Sequence, residues 1–514
     1  MARGVSRPRL DRWSALGAVS ALVGALTRLW VLHTPMGLFD GDEAIVGLIA
    51  RDALHGHFSA FYWGQPYGGT GEPLLAAPVV AVFGSSPWAV KVIPIALNAV
   101  SALVLFAVGR RLFDRRAGIV AASLSWCWSG ALVWWSTKAN GFTQMTLLCS
   151  MLVVLAAIRI DADPHGRRNW VLLGAALGVG WWQSPQIVLL GVPAVVWLAA
   201  GLMRHHRASL KMAPVAIGVA MVAAIPWWMF NLRNHWASLD PAYADAHGSY
   251  VNHLWALITR GLPMILGAKE VYSERWLWWR TGAIAAVFVV VALVWLGALG
   301  DVMRWPPRDH DASARPTRRR SLLVTLLVGF TVLYAAFPNS SYVGPGRYQL
   351  YVAPVFCLAL ARVVHRQWWW CVSGLAIAMV VTVGGLQAHY DNTQPFVSGG
   401  VPMPRDSRPL VVALEGLGRP AVYTDYWVTG PIRFESGGRI DAASLNYYRD
   451  RAMQDRVEAA PRTVWVYVIG AHDENRLDCA LDRLGVGAQR IIASGYEIVV
   501  PERTVRPGDI PADC

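Results

Sequence analysis

Apolar runs of about 20 residues recur along most of this 514-residue chain, each long enough to cross a bilayer core of about 30 Å. Only 15% of the residues are charged, against about 25% in an ordinary soluble domain. The expected fold is therefore a polytopic α-helical membrane protein with about 11 transmembrane helices. The first span runs from Trp13 to about Leu32, behind a basic segment. It is longer than the roughly 7–15 residues of a signal-peptide core, and no A-x-A-like site follows it. It reads as an uncleaved span with a cytoplasmic N-terminus. Further spans are expected at roughly 88–109, 117–136, 140–160, 170–184, 186–203, 212–230, 276–303, 321–337, 347–364 and 368–388.

The formal net charge is +13, but its distribution excludes a nucleic-acid partner. Arg110, Arg111, Arg115 and Arg116 share one loop, and Arg159, Arg167 and Arg168 another. Arg204, Arg207 and Lys211 follow, then Arg304, Arg308, Arg315, Arg318, Arg319 and Arg320, and finally Arg362 and Arg366. These clusters fall in alternate loops, as the positive-inside rule demands of cytoplasmic ones. The opposite face then holds long external segments at 35–86 and 231–275 and the short loop Pro338 to Tyr348. Residues 1–388 read as the membrane domain.

From about 389 the apolar runs shorten and charge rises. Ala421 to Thr424, Val464 to Ile469, Ile491-Ile492 and Tyr496 to Val500 look like strands; Asn446 to Ala459 and Glu474 to Leu484 look like helices. That alternation predicts a small α/β domain over 389–514, outside the membrane with the C-terminus. Cys479 and Cys514 lie in it and have the option of pairing if it is exported.

The candidate chemistry lies on the outer face. Asp40, Asp42 and Glu43 crowd the boundary after the first span, ahead of a helical pattern in which Ile45, Leu48, Ile49 and Ala53 recur. Capping that helix needs one carboxylate, not three. Asp42 is the candidate general base, with Glu43 raising its pKa or sharing a divalent metal with it. Phe61 to Pro73 reads as an interfacial loop, and Leu74 to Phe83 as an interfacial helix. Glu72 fits both a substrate or metal ligand and a helix-start acid. Arg347, with Tyr348, follows a Gly-Pro-Gly turn, and an external guanidinium suits a phosphate. Lys138 is a second phosphate candidate, although snorkelling accounts for it and for Lys91 as well. Trp134 and Trp135 read as interface-belt residues, Asn98 as a lone polar group in the membrane, and His247 and His253 as loop histidines without ligand spacing.

Gly41-Asp42-Glu43-Ala44 after the first span, Gly71-Glu72-Pro73-Leu74 before the interfacial helix and Gly346-Arg347-Tyr348 at a late span start together resemble the GT-C superfamily of membrane glycosyltransferases. The resemblance is greatest to protein O-mannosyltransferases and lipid A aminoarabinose transferases, and covers roughly residues 13–388. Two positions depart from the pattern. Relatives often carry Lys-Pro-Pro or His-Pro-Pro where Gly71-Glu72-Pro73 stands, and some have a second acid where Lys138 and Asn140 stand. The resemblance implies a cell-membrane enzyme that moves a sugar from a polyprenyl-phosphate donor to an envelope lipid, glycan or protein hydroxyl at the outer face. In it Asp42 would be the base, Glu43 its support, and Arg347 the donor phosphate ligand. The rival class is a transporter or lipid flippase, which predicts internal repeats and polar midplane groups on broken helices; no repeat is visible.

Overall fold

The computed structural model describes residues 11–240, 248–302, 321–341, 343–392, 397–398, 401–418, 420–471, 474–512 and 514. His247 and the arginines from Arg304 to Arg320 lie outside these residues. Among the described residues each expected span contains helix, interrupted at Trp128-Ser129 and at Ala224. The segments that build the site are α1 (Arg12–Leu32), α2 (Gly41–Leu54), β1 (Phe61–Tyr62), β2 (Gln65–Gly69), α3 (Gly71–Phe83), α4 (Pro87–Leu112), α5 (Arg115–Cys127), α6 (Gly130–Trp135) and α7 (Thr143–Ala162). Among the described residues six helices are long and apolar enough to cross a membrane, or seven if the pair Arg207–Ala223 and Ile225–Arg233, bent by 58°, counts as one. Large apolar side chains such as Leu22, Phe288 and Ile377 stand more than half exposed on the outer faces, where a bilayer would cover them.

Within the bundle, α7 is the most buried of these spans, packed between α4, the helix Arg167–Gln183 and the helix Val188–His205. Four sequence expectations need correction here. The first span is not uniformly apolar: Arg28 lies in it, 1% exposed. Its guanidinium donates to Ser136 Oγ at 2.8 Å, to the carbonyls of Gly24 and Trp126 at 2.9 Å each, and to Asn98 Oδ1 at 2.8 Å. Asn98 is therefore not a lone group; its amide goes on to Gln144 Oε1 at 3.3 Å. A charge in hydrocarbon is tolerated only when its donors are satisfied in this way. Trp134 and Trp135 are buried tie-points rather than interface-belt residues, donating to the carbonyls of Met36 and Pro345. The segment after α2 is not a plain loop, since β1 and β2 form an antiparallel hairpin.

The C-terminal unit holds a five-stranded sheet of β3 (Ala421–Thr424), β4 (Ala442–Ser444), β5 (Thr463–Val468), β6 (Ala488–Ala493) and β7 (Tyr496–Pro501), in the order β4-β3-β5-β7-β6. β3 pairs in parallel with β4 and β5, and the last two strands are antiparallel. A disulfide joins Cys479 to Cys514. Strand β4 and the helix α8 (Tyr426–Glu435) escaped the sequence reading. The first is only three residues long, and the second carries Gly430 and Pro431 in its interior.

Helix α8 docks the sheet unit onto α2, and glycines set how closely. A Cβ on Gly430 would meet Ala44 Cβ at 2.8 Å and the Gly41 carbonyl at 3.0 Å; one on Gly41 would meet the Tyr426 carbonyl at 2.8 Å. Gly47 faces the ring of buried Phe434. In a helix, Gly to Ala ordinarily stabilises by about 0.5–1 kcal/mol. Here the added carbon has nowhere to go. Gly430→Val is expected to destabilise the docked unit by about 1–3 kcal/mol through overpacking. The reading is a lower midpoint in detergent and protease release of the C-terminal unit. Gly416→Ala, where an added Cβ in a helix meets open space, should leave protease release unchanged and raise the midpoint slightly.

Candidate active site

Helix α2 begins with a capping box. Asp40, at its N-cap, accepts from the Glu43 backbone N–H at 3.0 Å, and the Glu43 carboxylate reaches back to the Asp40 N–H. Successive residues of an α-helix point about 100° apart, so Asp42 and Glu43 diverge. Glu43 turns into the membrane bundle and Asp42 toward the sheet unit.

Inside, Asp40 and Glu43 meet two lysines. Lys91 of α4 donates to both Glu43 oxygens at 2.6 Å. Lys138, in the loop between α6 and α7, reaches Asp40 Oδ2 at 3.0 Å and Glu43 Oε2 at 3.2 Å. The backbone N–H of Ala139 adds a bond to Glu43 at 2.9 Å, and both ammonium groups also touch the Leu38 carbonyl. All four side chains are at most 4% exposed. Burial pushes the Asp40 carboxyl up to about 6 against the pull of Lys138. Burial also works to raise Glu43, but the charges of Lys138 and Lys91 win and hold it below the usual range.

This knot corrects several roles. Lys91 does not snorkel. The Lys138 ammonium is committed to Asp40 and Glu43, not to a donor phosphate. Glu43 is walled in by ammonium groups, so it neither supports Asp42 as a second open acid nor fits a divalent cation. Among the described residues no three His, Cys, Asp or Glu side chains gather as a metal set. His253 is buried, with Nδ1 3.0 Å from the Ala335 carbonyl.

Asp42 is the accessible acid, its side chain 38% exposed. Tyr426 of α8 donates its hydroxyl to Oδ1, and Arg449 Nη2 lies 3.2 Å from the same oxygen. Tyr62 of β1 ties down the Asp42 carbonyl at 2.6 Å. A cleft of about 490 Å³ lined by Asp52, His57, Trp63, Arg433, Arg449 and Arg456 opens beside this clamp.

Arg347 follows Gly346, whose φ of +74° favours glycine and whose close neighbour is Met264. Trp135 fastens this turn through the Pro345 carbonyl at 2.6 Å. The guanidinium is half-buried and donates to the Tyr348 hydroxyl at 3.0 Å. Tyr67 of β2 relates the two halves of the site. Burial raises its phenol, and among the nearby groups acting on it are Arg347, Tyr348, Arg449 and Asp42. Asp42 and Arg347 thus lie within electrostatic reach of one side chain.

Glu72 is fully buried at the start of α3. Its Oε1 accepts from the backbone N–H groups of Gln144 and Met145, at the N-terminus of α7, at 3.0 and 3.2 Å. It therefore serves α7 and not only its own helix.

The sequence profile of the dolichyl-phosphate-mannose-protein mannosyltransferase family matches residues 71–230. The matched stretch includes Glu72 and Lys138 and leaves out the acidic cluster and Arg347. An undecaprenyl phosphate-α-4-amino-4-deoxy-L-arabinose arabinosyl transferase of Pseudomonas aeruginosa is 27% identical over 312 residues, 57% of this chain and 51% of that protein. Its counterpart in Pseudomonas paraeruginosa is 28% identical over 207 residues, 37% of this chain and 36% of that protein. The chain thus aligns with only a third to a half of the length of these relatives. ArnT from Cupriavidus metallidurans, solved bound to undecaprenyl phosphate, superposes with a TM-score of 0.60 at 13% identity over 95% of this chain and 98% of that one. The chain shares the fold of that protein, membrane helices and C-terminal sheet unit together. The archaeal oligosaccharyltransferase AglB of Archaeoglobus fulgidus shares it more loosely, with a TM-score of 0.53 at 11% identity over 99% of this chain and 76% of that one.

Three residues around Asp42 and Arg347 carried no assignment in the sequence: Tyr67, Tyr426 and Arg449. Tyr67 stands in an aromatic- and glycine-rich stretch whose density was the available signal. The other two lie hundreds of residues from Asp42 and gave none.

Two tests follow from the geometry. Lys91→Met should cost about 3–5 kcal/mol of stability, because it leaves two buried carboxylates, Asp40 and Glu43, to share the single ammonium of Lys138. Adding Glu43→Gln should recover much of that loss in thermal unfolding. Burial pushes Glu72 from 4.5 up to about 7, against the Met145 and Gln144 N–H groups. With the folded-state value raised, its stabilising contribution is present below about pH 4.5 and lost as pH rises through about 7. Glu72→Gln should flatten the midpoint-against-pH curve across that window.

Proposed function

We propose that the protein is a glycosyltransferase that takes a sugar from a polyprenyl-phosphate donor and passes it to a hydroxyl of an envelope lipid, with a glycan or protein hydroxyl as the other acceptor classes. The observation that carries this reading is the placement of Asp42. It is the one acid of its cluster with an accessible carboxylate, and it shares with the half-buried Arg347 a common neighbour in Tyr67, on whose phenol both act. The naming of the Pseudomonas relatives as undecaprenyl-phosphate-linked arabinosyl transferases supports a pentose donor of that kind.

In the reaction, Asp42 takes the proton from the acceptor hydroxyl as its oxygen attacks the anomeric carbon. The new glycosidic C–O bond forms while the bond from that carbon to the phosphate oxygen breaks. The electron pair leaves with the polyprenyl phosphate, whose charge Arg347 meets, with Tyr348 holding the guanidinium in place. Glu43, Asp40, Lys91 and Lys138 hold α2 rigid and make no bond to substrate.

The same reading sets the chain across the membrane about 11 times, with residues 1–388 as the membrane domain and 389–514 outside. Helix α4 supports the sidedness. Lys91, near its start, belongs to the site, and Arg110 and Arg111 end it roughly 28 Å away at 1.5 Å per residue. Arginine at that end suits the cytoplasmic face. A disulfide in the C-terminal unit suits an oxidising exterior.

Purified protein in liposomes, given undecaprenyl-phosphate 4-amino-4-deoxyarabinose and an envelope lipid extract, should form a new glycolipid by mass spectrometry. Asp42→Asn and Arg347→Ala should each lower transfer by about 100-fold or more. Full transfer by both variants would sink this reading. Movement of intact donor across the bilayer without glycosidic bond formation would favour a flippase.

A further inference from the structure

The Asp42 carboxylate is not held by the membrane bundle that carries it. Both groups on Oδ1, the Tyr426 hydroxyl and Arg449 Nη2, come from the C-terminal unit. They also hold each other, since Arg449 Nε donates to the Tyr426 oxygen at 2.6 Å. Arg449 is fixed further by the Trp63 carbonyl at 3.3 Å and, with the Gln65 amide oxygen turned toward it, by Gln65 at 3.1 and 3.0 Å. The rings of Tyr62, Tyr426 and Tyr447 surround its guanidinium at 5.2–5.5 Å. Its side chain is 8% exposed, and the ion pair with Asp42 crosses the seam between the two units. A guanidinium so deeply placed needs a counter-charge, and Asp42 supplies it.

Oδ2 of Asp42 receives no hydrogen bond from the described residues, while Oδ1 receives two. The lone pairs on Oδ2 are thus the ones left for an acceptor proton, and the clamp fixes where they point. The seam that carries the clamp is itself built for close approach, through Gly41, Gly47 and Gly430.

We infer that Tyr426 and Arg449 are positioning residues for Asp42, so that the transfer site is complete only when the C-terminal unit is docked on α2. This rests on the reading of Asp42 as the base. The two residues touch no substrate in this scheme; they orient Oδ2 and prevent the carboxylate from rotating. Misplacement of a base by about an ångström is enough to lose about 100-fold in rate.

The test uses the full chain in liposomes with the donor and lipid extract named above. Tyr426→Phe is expected to lower kcat about 10-fold, the worth of one bond to a charged group, with KM for donor and acceptor unchanged. Arg449→Gln is expected to lower kcat about 100-fold, again with KM unchanged. The double variant should fall no further than Arg449→Gln alone, because both act through one carboxylate. Arg449→Lys, which keeps the charge and loses the fork, should lie between. If Arg449→Gln releases the C-terminal unit to protease, Tyr426→Phe decides, since it keeps the ring, Arg449 and the seam. Wild-type kcat in Tyr426→Phe, or a loss confined to KM, overturns the inference. Full activity in Asp42→Asn would instead overturn the functional reading beneath it.

Discussion

Two carboxylates and two ammonium groups, all nearly without solvent, hold one end of this bundle together. Asp40 and Glu43 begin α2, Lys91 sits in α4, and Lys138 lies in the loop that leads into α7. Each charge alone would carry a desolvation cost of several kcal/mol. Together they balance, and the Ala139 N–H and the Leu38 carbonyl take up remaining bonding positions. The result is a fixed direction for α2. Below it Arg28 joins α1 to α4, α5 and the Ser136 end of α6, and Glu72 anchors the start of α7. Polar bonds of this kind are directional, where lipid-facing apolar packing is not.

That rigidity matters because Asp42 is the neighbour of Glu43 on the same helix. With α2 fixed, the 100° step between adjacent residues aims Asp42 away from the knot and toward the sheet unit. There α8 comes close enough, through glycines, for Tyr426 and Arg449 to reach it. The C-terminal unit thus supplies both hydrogen-bond partners of the Asp42 carboxylate. The likeness to ArnT at 13% identity extends over 95% of the chain, so the sheet unit falls within the shared architecture.

The sequence made a good deal of this legible. Runs near 20 residues placed the helices, since a bilayer leaves the backbone few alternatives. The Asp40-to-Glu43 spacing announced a helix start, and β7 and the helix Glu474–Leu484 carried clear periods. The acidic cluster and Arg347 drew attention because charges at a membrane boundary are expensive. The harder features failed for physical reasons. Lys91 and Lys138 near the outer ends of spans look the same in sequence whether they snorkel or pair inward. Arg28 stands in an apolar run, and only its four acceptors, drawn from α1, α4, α5 and Ser136, explain its presence.

By itself the sequence determined the class: a helical membrane protein with a small α/β unit, one basic face, and acids and an arginine at the other. Hydrophobic length and loop charge are local properties, so they can be read residue by residue. The tertiary structure decided which acid is open. Three carboxylates in four residues are equivalent on paper. Burial against Lys91 and Lys138 closes Asp40 and Glu43, while the docked C-terminal unit takes one oxygen of Asp42 and leaves the other. That division depends on contacts between residues up to 407 positions apart, which no local pattern encodes.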